Sequence, residues 1–227
     1  MRVTMRRVMK LFLDSSNTEV VLDAVGTGLI DGVTTNPSLM LKQGQDPVTV
    51  IKEICDMFGW TASVSAEVVG ATAEEMLDMA DDYIDIHPSV TIKLPLNPEG
   101  LRACKELSED GISTNVTLCF SVTQAILAAK AGATYVSPFV GRVDDNGFDG
   151  IQLISDISKV FKQHKVETQI LAASIRNVKD VGKCFEVGAD ICTIPPSIFD
   201  KMYKHVLTDK GLEQFDKDWE SLQSKLI

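Results

Sequence analysis

The stretch VTIKLP, Val90–Pro95, is followed after Leu96 and Asn97 by PEGLRACKELSED, residues 98–110. The first piece is a short apolar, β-branched run stopped by proline, which reads as a buried strand. The second has the 3-and-4 apolar spacing of a helix. Strand, short connection, helix is the unit from which the fold is read, and the chain repeats it. KLFLD (10–14) precedes the helical pattern NTEVVLDAV (17–25), with Ser16 or Asn17 as cap. GVTTNP (32–37) reads as a second strand, and DPVTVIKEICDMF (46–58) as a helix opened by Asp46 and Pro47. TASVSAEV (61–68) precedes TAEEMLDMADDY (72–83), where Thr72 and Glu75 form a capping-box pattern.

The second half continues in the same way. STNVTLCF (113–120) precedes VTQAILAAKAG (122–132), and TYVSPFV (134–140) precedes GIQLISDISKVFKQH (150–164). TQILAAS (168–174) precedes VKDVGKCFEVG (178–188), and DICTIPP (190–196) closes the series before a short helix. Alternation of this kind implies a parallel sheet. Eight units in about 200 residues fit an α/β single-domain (β/α)8 TIM barrel; a doubly wound sheet, which usually has fewer strands, is the alternative. GLEQFDKDWESLQSKLI adds a C-terminal helix, 210–226, after the barrel is complete. Its Leu212, Phe215, Trp219, Leu222 and Leu226 form one apolar face, which covers either its own barrel or a neighbouring copy. Residues 1–8 read as a disordered arm or start-site extension, and 9–227 as the barrel with its added helix.

Composition narrows the function classes. Of 227 residues, 44% are hydrophobic and 24% charged, a soluble globular balance. A net charge of −10 argues against general nucleic-acid binding, which needs a basic footprint. No apolar run reaches the roughly 20 residues that span a bilayer, so no membrane partner is expected. The basic start MRVTMRRVMK meets Asp14 too soon to be an export signal. Five cysteines without C-x-x-C spacing read as buried, reduced thiols of a cytoplasmic protein. Three scattered histidines offer no metal-ligand spacing, and neither a P-loop nor a dinucleotide fingerprint occurs. No metal and no cofactor is expected.

In a barrel of this kind function sits at the C-terminal strand ends. Those ends carry Asp14; Thr34, Thr35 and Asn36; Glu67; Lys93; Asn115 and Thr117; Ser137 and Phe139 with Arg142 just beyond; and Ser174 with Arg176 just beyond. Any one Ser or Thr there is more often a turn residue, and Asp14 alone could cap a helix. Lys93 is different, because a lysine inside an apolar strand must pair, snorkel or lose its proton. A lysine amine attacks a carbonyl only when neutral, and burial destabilises the ammonium. Lys93 is therefore read as placed there to be desolvated and to form a Schiff base.

These stretches together resemble the transaldolases, in particular the small single-domain branch that includes the fructose 6-phosphate aldolases. The resemblance runs from Met9 onward and is carried by FLDSS (12–16), GVTTNPSL (32–39), SAEV (65–68), TIKLP (91–95), TNVTLCFS (114–121), SPFVGRVDD (137–145) and AASIRN (172–177). It implies Lys93 as the Schiff-base lysine and Asp14 as the acid/base for the C4 hydroxyl proton. It implies Glu67 and Thr117 as holders of a catalytic water. Thr34, Asn36, Asn115 and Ser137 would line the dihydroxyacetone pocket, and Arg142, Ser174 and Arg176 would bind phosphate. Phe139 and Glu67 match the transaldolases, where the aldolase branch usually has tyrosine and glutamine. The implied reaction moves a dihydroxyacetone unit from sedoheptulose 7-phosphate to glyceraldehyde 3-phosphate, in the nonoxidative pentose phosphate pathway, with sugar phosphates as its small-molecule partners. The resemblance further implies a homo-oligomer, pentamer or decamer. The alternatives are an aldolase that releases free dihydroxyacetone, and a non-catalytic sugar-phosphate binder or oligomeric scaffold.

Overall fold

The computed structural model of this chain describes residues 9–58 and 62–225. The expected arm at 1–8, the first residue of the expected third strand and Leu226 of the terminal helix lie outside the described residues. Eight strands close into a parallel barrel in sequence order, with β1 paired to both β2 and β8. They are β1 Lys10–Asp14, β2 Gly32–Thr34, β3 Ser63–Glu67, β4 Val90–Pro95, β5 Thr114–Cys119, β6 Tyr135–Pro138, β7 Gln169–Ala172 and β8 Ile191–Ile194. Closure rules out the doubly wound alternative.

Alternation along each strand explains the composition of the interior. On β4, Val90, Ile92 and Leu94 enter the large apolar cluster between sheet and helices. Thr91 and Lys93 take the other side, and Thr91 meets Ser63 at 2.8 Å inside the barrel. The lower interior is a small cluster of Phe12, Tyr135, Leu171, Ala173 and Ile191, with Phe12 and Tyr135 edge to face. The barrel is thus apolar at its floor and polar at its mouth.

Helices α1 Thr18–Gly26, α3 Pro47–Met57, α4 Ala73–Ile84, α5 Pro98–Glu109, α6 Val122–Lys130, α8 Gly150–His164 and α9 Val178–Val187 fall where the periodicity places them, and α10 Pro196–Met202 is the expected short helix. Their caps are local and polar. Asn17 rather than Ser16 caps α1, and the Asp46 carboxylate accepts from the Thr49 amide. The Thr72 hydroxyl accepts from the Glu75 amide, while Glu75 reaches back to the Ala71 amide at 2.6 Å, one residue before the expected partner.

Two short helices were not foreseen. α2 Pro37–Gln43 follows β2, which stops at Thr34 and not at Pro37. α7 Val140–Asp145 follows β6, which stops at Pro138 and not at residue 140. Seven and six residues are too short to show a helical period, so both read as strand end or loop. The terminal helix α11 Val206–Lys225 starts before the expected residue 210 and buries none of its residues. Phe215 and Trp219 are 70% and 60% exposed, so the helix does not cover its own barrel.

The β4–α5 turn is tight. Asn97 Oδ1 accepts from the Gly100 amide at 2.7 Å, and a Cβ on Gly100 would stand 2.0 Å from the Pro95 carbonyl oxygen. That oxygen belongs to backbone and cannot swing aside. Gly100→Ala should therefore cost about 1–3 kcal/mol, as overpacking does. In a chain of this size that lowers the melting temperature by about 2–4 °C per kcal/mol. A melting curve unchanged by the substitution would contradict the close approach.

Candidate active site

Strand register assembles the site. Glu67 pairs with Lys93 across β3 and β4, and Lys93 with Asn115 across β4 and β5. Asp14 pairs with Thr34 across β1 and β2. Inward residues of these strands and the two unforeseen helices enclose a cavity of about 450 Å³ at the barrel mouth. Of the residues picked out in the sequence, Asp14, Thr34, Asn36, Glu67, Lys93, Thr117, Ser137, Phe139, Arg142 and Ser174 all line it.

Lys93 is 6% exposed, yet it is not bare. Its Nζ lies 2.8 Å from Glu67 Oε2 and donates to the Thr35 carbonyl oxygen at 2.9 Å. The expected desolvated lysine is thus desolvated and paired together, as a buried charge must be. A bridging carboxylate beside the amine also supplies an acceptor for its proton. Asp14 is the counterweight on the other side. Burial pushes its carboxyl above the usual carboxylate range, against the Thr34 hydroxyl and the Lys93 charge, which both favour the anion. The Thr34 hydroxyl donates to Asp14 Oδ1 at 2.7 Å.

The Thr117 hydroxyl is buried and meets no partner among the described residues. Such a group costs about 1–3 kcal/mol while unsatisfied and is an acceptor or donor ready for whatever enters the cavity. Leu118, the next residue, stands at φ +60° where the β5–β6 register shifts, and it lines the cavity too. A bulky side chain in the left-handed region is strained. The kink is what lets two successive residues face one cavity. Ser174, at φ +58°, is a second strained residue on the same wall.

Two of the expected site residues stand back from the cavity. Asn115 lies beneath it, fully buried, with both ends of its amide in use. Its Nδ2 donates to Ser65 Oγ at 3.2 Å, and its Oδ1 accepts from Ser137 Oγ at 2.6 Å. It holds Ser137, which does line the cavity. Arg176 pairs with Asp145 at the rim and is half exposed, outside the lining. Arg142 is placed differently: its guanidinium lies 4.8 Å over the Phe139 ring, which also packs edge to face on Phe120. Asn36 uses its Oδ1 to cap α2 through the Leu39 amide.

Sequence reading missed Lys42 and Thr193, which both line the cavity. Lys42 would have been found had the helix after Pro37 been recognised, since α2 carries it to the rim. Thr193 lies inside DICTIPP on the inward parity of β8, and only the count of alternation distinguishes it from its neighbours. Among the described residues there is no His, Cys, Asp and Glu cluster able to hold a metal, and no helix long and apolar enough to cross a membrane. A larger cavity, about 860 Å³, lies at the N-terminal ends of β6 and β7 between α6 and α8, remote in sequence register from Lys93 and lined mainly by carbon.

The chain is similar to known proteins over nearly its whole length. The "Probable transaldolase" of Caulobacter vibrioides is 53% identical over 96% of this chain and all of its own length. That of Caulobacter sp. strain K31 is 56% identical over 93% of this chain and 96% of its own. That of Paracoccus denitrificans is 50% identical over 96% of this chain and all of its own. Among solved structures, thiamine phosphate pyrophosphorylase from Pyrococcus furiosus superposes with a TM-score of 0.59 at 15% identity, covering 82% of this chain and 85% of that one, a likeness of fold alone. The model of the Transaldolase/Fructose-6-phosphate aldolase family matches residues 11–226, and the chain belongs to that family.

Proposed function

We propose that this protein is a transaldolase that works through a Schiff base on Lys93. The observation that carries the reading is a buried lysine amine at the base of a polar cavity, bonded to Glu67 and facing Asp14. The relatives named "Probable transaldolase", similar along their whole length, support the same activity.

In the reaction, Glu67 accepts the Lys93 proton and the free amine attacks the ketone carbon of sedoheptulose 7-phosphate. Water leaves the carbinolamine with Glu67 and the unpartnered Thr117 hydroxyl serving the proton transfers. Asp14 takes the C4 hydroxyl proton as the C3–C4 bond breaks, and erythrose 4-phosphate departs. The bond's electrons are held as an enamine, the protonated imine having been their sink, so no cofactor enters. Glyceraldehyde 3-phosphate then accepts the three-carbon unit, Asp14 returns its proton, and hydrolysis frees fructose 6-phosphate and Lys93. Ser137, held by Asn115, and Thr34 and Asn36 bind the dihydroxyacetone hydroxyls. Arg142, Ser174 and Lys42 meet the phosphate, with Arg176 joining by exchanging Asp145 for it. Five buried free cysteines fit a reducing compartment, and we place the enzyme in the cytoplasm.

Phe139 favours transfer over release. Its ring is engaged by Phe120 and Arg142 and offers no hydroxyl, so that wall of the cavity cannot help water protonate the enamine. The enamine survives until an aldehyde arrives.

The oligomer follows from α11. Leu212, Phe215, Trp219 and Leu222 lie exposed along one helix face, and burying each such side chain is worth about 1.5–3 kcal/mol. A second copy of this chain is the occupant we assign to that face, as a ring of pentamer type, alone or doubled.

Three measurements test these readings. Borohydride added with fructose 6-phosphate should trap a three-carbon adduct on Lys93; peptide mapping that finds it on another lysine, or finds none, refutes the mechanism. Phe139→Tyr should raise fructose 6-phosphate cleavage and lower transfer, since general acid help of this kind is worth about 10²-fold or more. An unaltered ratio of release to transfer would remove Phe139 as selector. Light scattering at micromolar concentration should give a multiple of the 24.8 kDa chain, and Trp219→Glu should lower it. A monomeric wild-type protein would exclude the assembly.

A further inference from the structure

Thr193 has no part in the chemistry as written, yet it is built into the site. It is almost fully buried, it faces the cavity from β8, and its Oγ1 lies 2.6 Å from Thr34 Oγ1. Thr34 Oγ1 lies 2.7 Å from Asp14 Oδ1. A hydroxyl has one proton to give, and an ionised carboxylate can only accept. Thr34 therefore gives its proton to Asp14. In its contact with Thr193 it is left as the acceptor, and Thr193 must be the donor.

We propose that Thr193 is the positioning residue of the acid/base: by donating to Thr34 it locks the Thr34 hydroxyl onto Asp14 Oδ1. The proposal rests on the reading of Asp14 as acid/base given above. Bonds in such a chain polarise one another, so the second hydroxyl strengthens the first. The chain is also reversible. Once Asp14 carries the proton, its carboxylic acid donates to Thr34, Thr34 to Thr193, and Thr193 to a group in the cavity. A backbone amide in the place of Thr193 could serve only the first direction. Two hydroxyls serve both, which is what a group that takes a proton and returns it requires.

The surroundings of Asp14 leave this chain a clear part. The strands flanking β1 are β2 and β8, and they bring the hydroxyls of Thr34 and Thr193, with Asn36 just past β2 lining the same cavity. The charge facing Asp14 comes from Lys93 on β4, itself tied to Glu67 on β3, while Arg142 and Lys42 stand at the rim of the same cavity. Burial works against the anion, and the Thr34 hydroxyl and Lys93 work for it.

The test is the carbon-13 NMR titration of Asp14 in the full-length protein, its carboxyl signal identified by its loss in Asp14→Asn. In Thr193→Val the anion loses a supporting donor chain, so the midpoint should move to higher pH. In Thr193→Ser it should return to that of the wild type. The acidic limb of the transfer rate should move in parallel, with kcat in Thr193→Val down about two- to tenfold, the scale of one neutral hydrogen bond, and KM unchanged. Thr193→Cys, of similar shape and a far weaker donor, gives the same comparison should the valine variant not fold. A midpoint equal to that of the wild type in Thr193→Val, or a folded Thr193→Ser that fails to restore it, would overturn the proposal. If the midpoints move as expected but Asp14→Asn still transfers at the wild-type rate, the acid/base reading of Asp14 fails while the hold of Thr193 on Asp14 stands.

Discussion

One buried ammonium sets the terms for the barrel mouth. Lys93 cannot stay charged in an apolar strand without an anion and an acceptor within reach, and Glu67 and the Thr35 carbonyl supply both. Those partners lie on β3 and at the end of β2, so the pairing order of the strands is also the wiring of the charge. Removing Glu67 strands the charge, at a cost of about 3–5 kcal/mol. Asp14 completes the balance from the far wall, where burial raises its pKa against the Thr34 hydroxyl and the Lys93 charge. Three ionisable groups thus share one small cavity.

Beneath the charges the interior is built from small hydroxyls. Ser63 with Thr91, Ser65 with Asn115 and Ser137, and Thr34 with Thr193 each join residues of different strands. Satisfied buried polar groups of this kind fix strand register as well as hydrocarbon packing does, and more specifically. The aromatic floor below packs Phe12 edge to face against Tyr135. The polar mouth is therefore a cup with an apolar base.

Most of the fold was legible because its units are long and periodic. β4 and α5 could be read from VTIKLP and PEGLRACKELSED by alternation and 3-and-4 spacing alone. α2 and α7 could not, being shorter than two full turns, and with them went Lys42 and the exact ends of β2 and β6. Site residues were legible where a charge broke an apolar strand, as at Lys93 and Glu67. Thr193 was hidden because a threonine is at home in any strand. The pairing of Arg176 with Asp145 was hidden because the two stand 31 positions apart and meet only at the rim. The standing apart of α11 was left open by its sequence, since an apolar face says that something covers it and not what.

The two short helices that interrupt the regular pattern divide the site by origin. The residues to which we assign the covalent chemistry, Lys93, Glu67, Asp14 and Thr117, all project from strands locked into the closed sheet. Lys42 and Arg142 ride on α2 and α7, outside the eight strands, although the Val140 and Gly141 amides of α7 donate to the Ala173 and Ser174 carbonyls just beyond β7. Selection can therefore act on the two sets separately. Lengthening, shortening or recharging either excursion would change the rim of the cavity while Lys93, Glu67 and Asp14 keep their positions on the sheet. On the function proposed above, the barrel mouth is a chassis on which substrate preference can drift without the covalent step being reinvented.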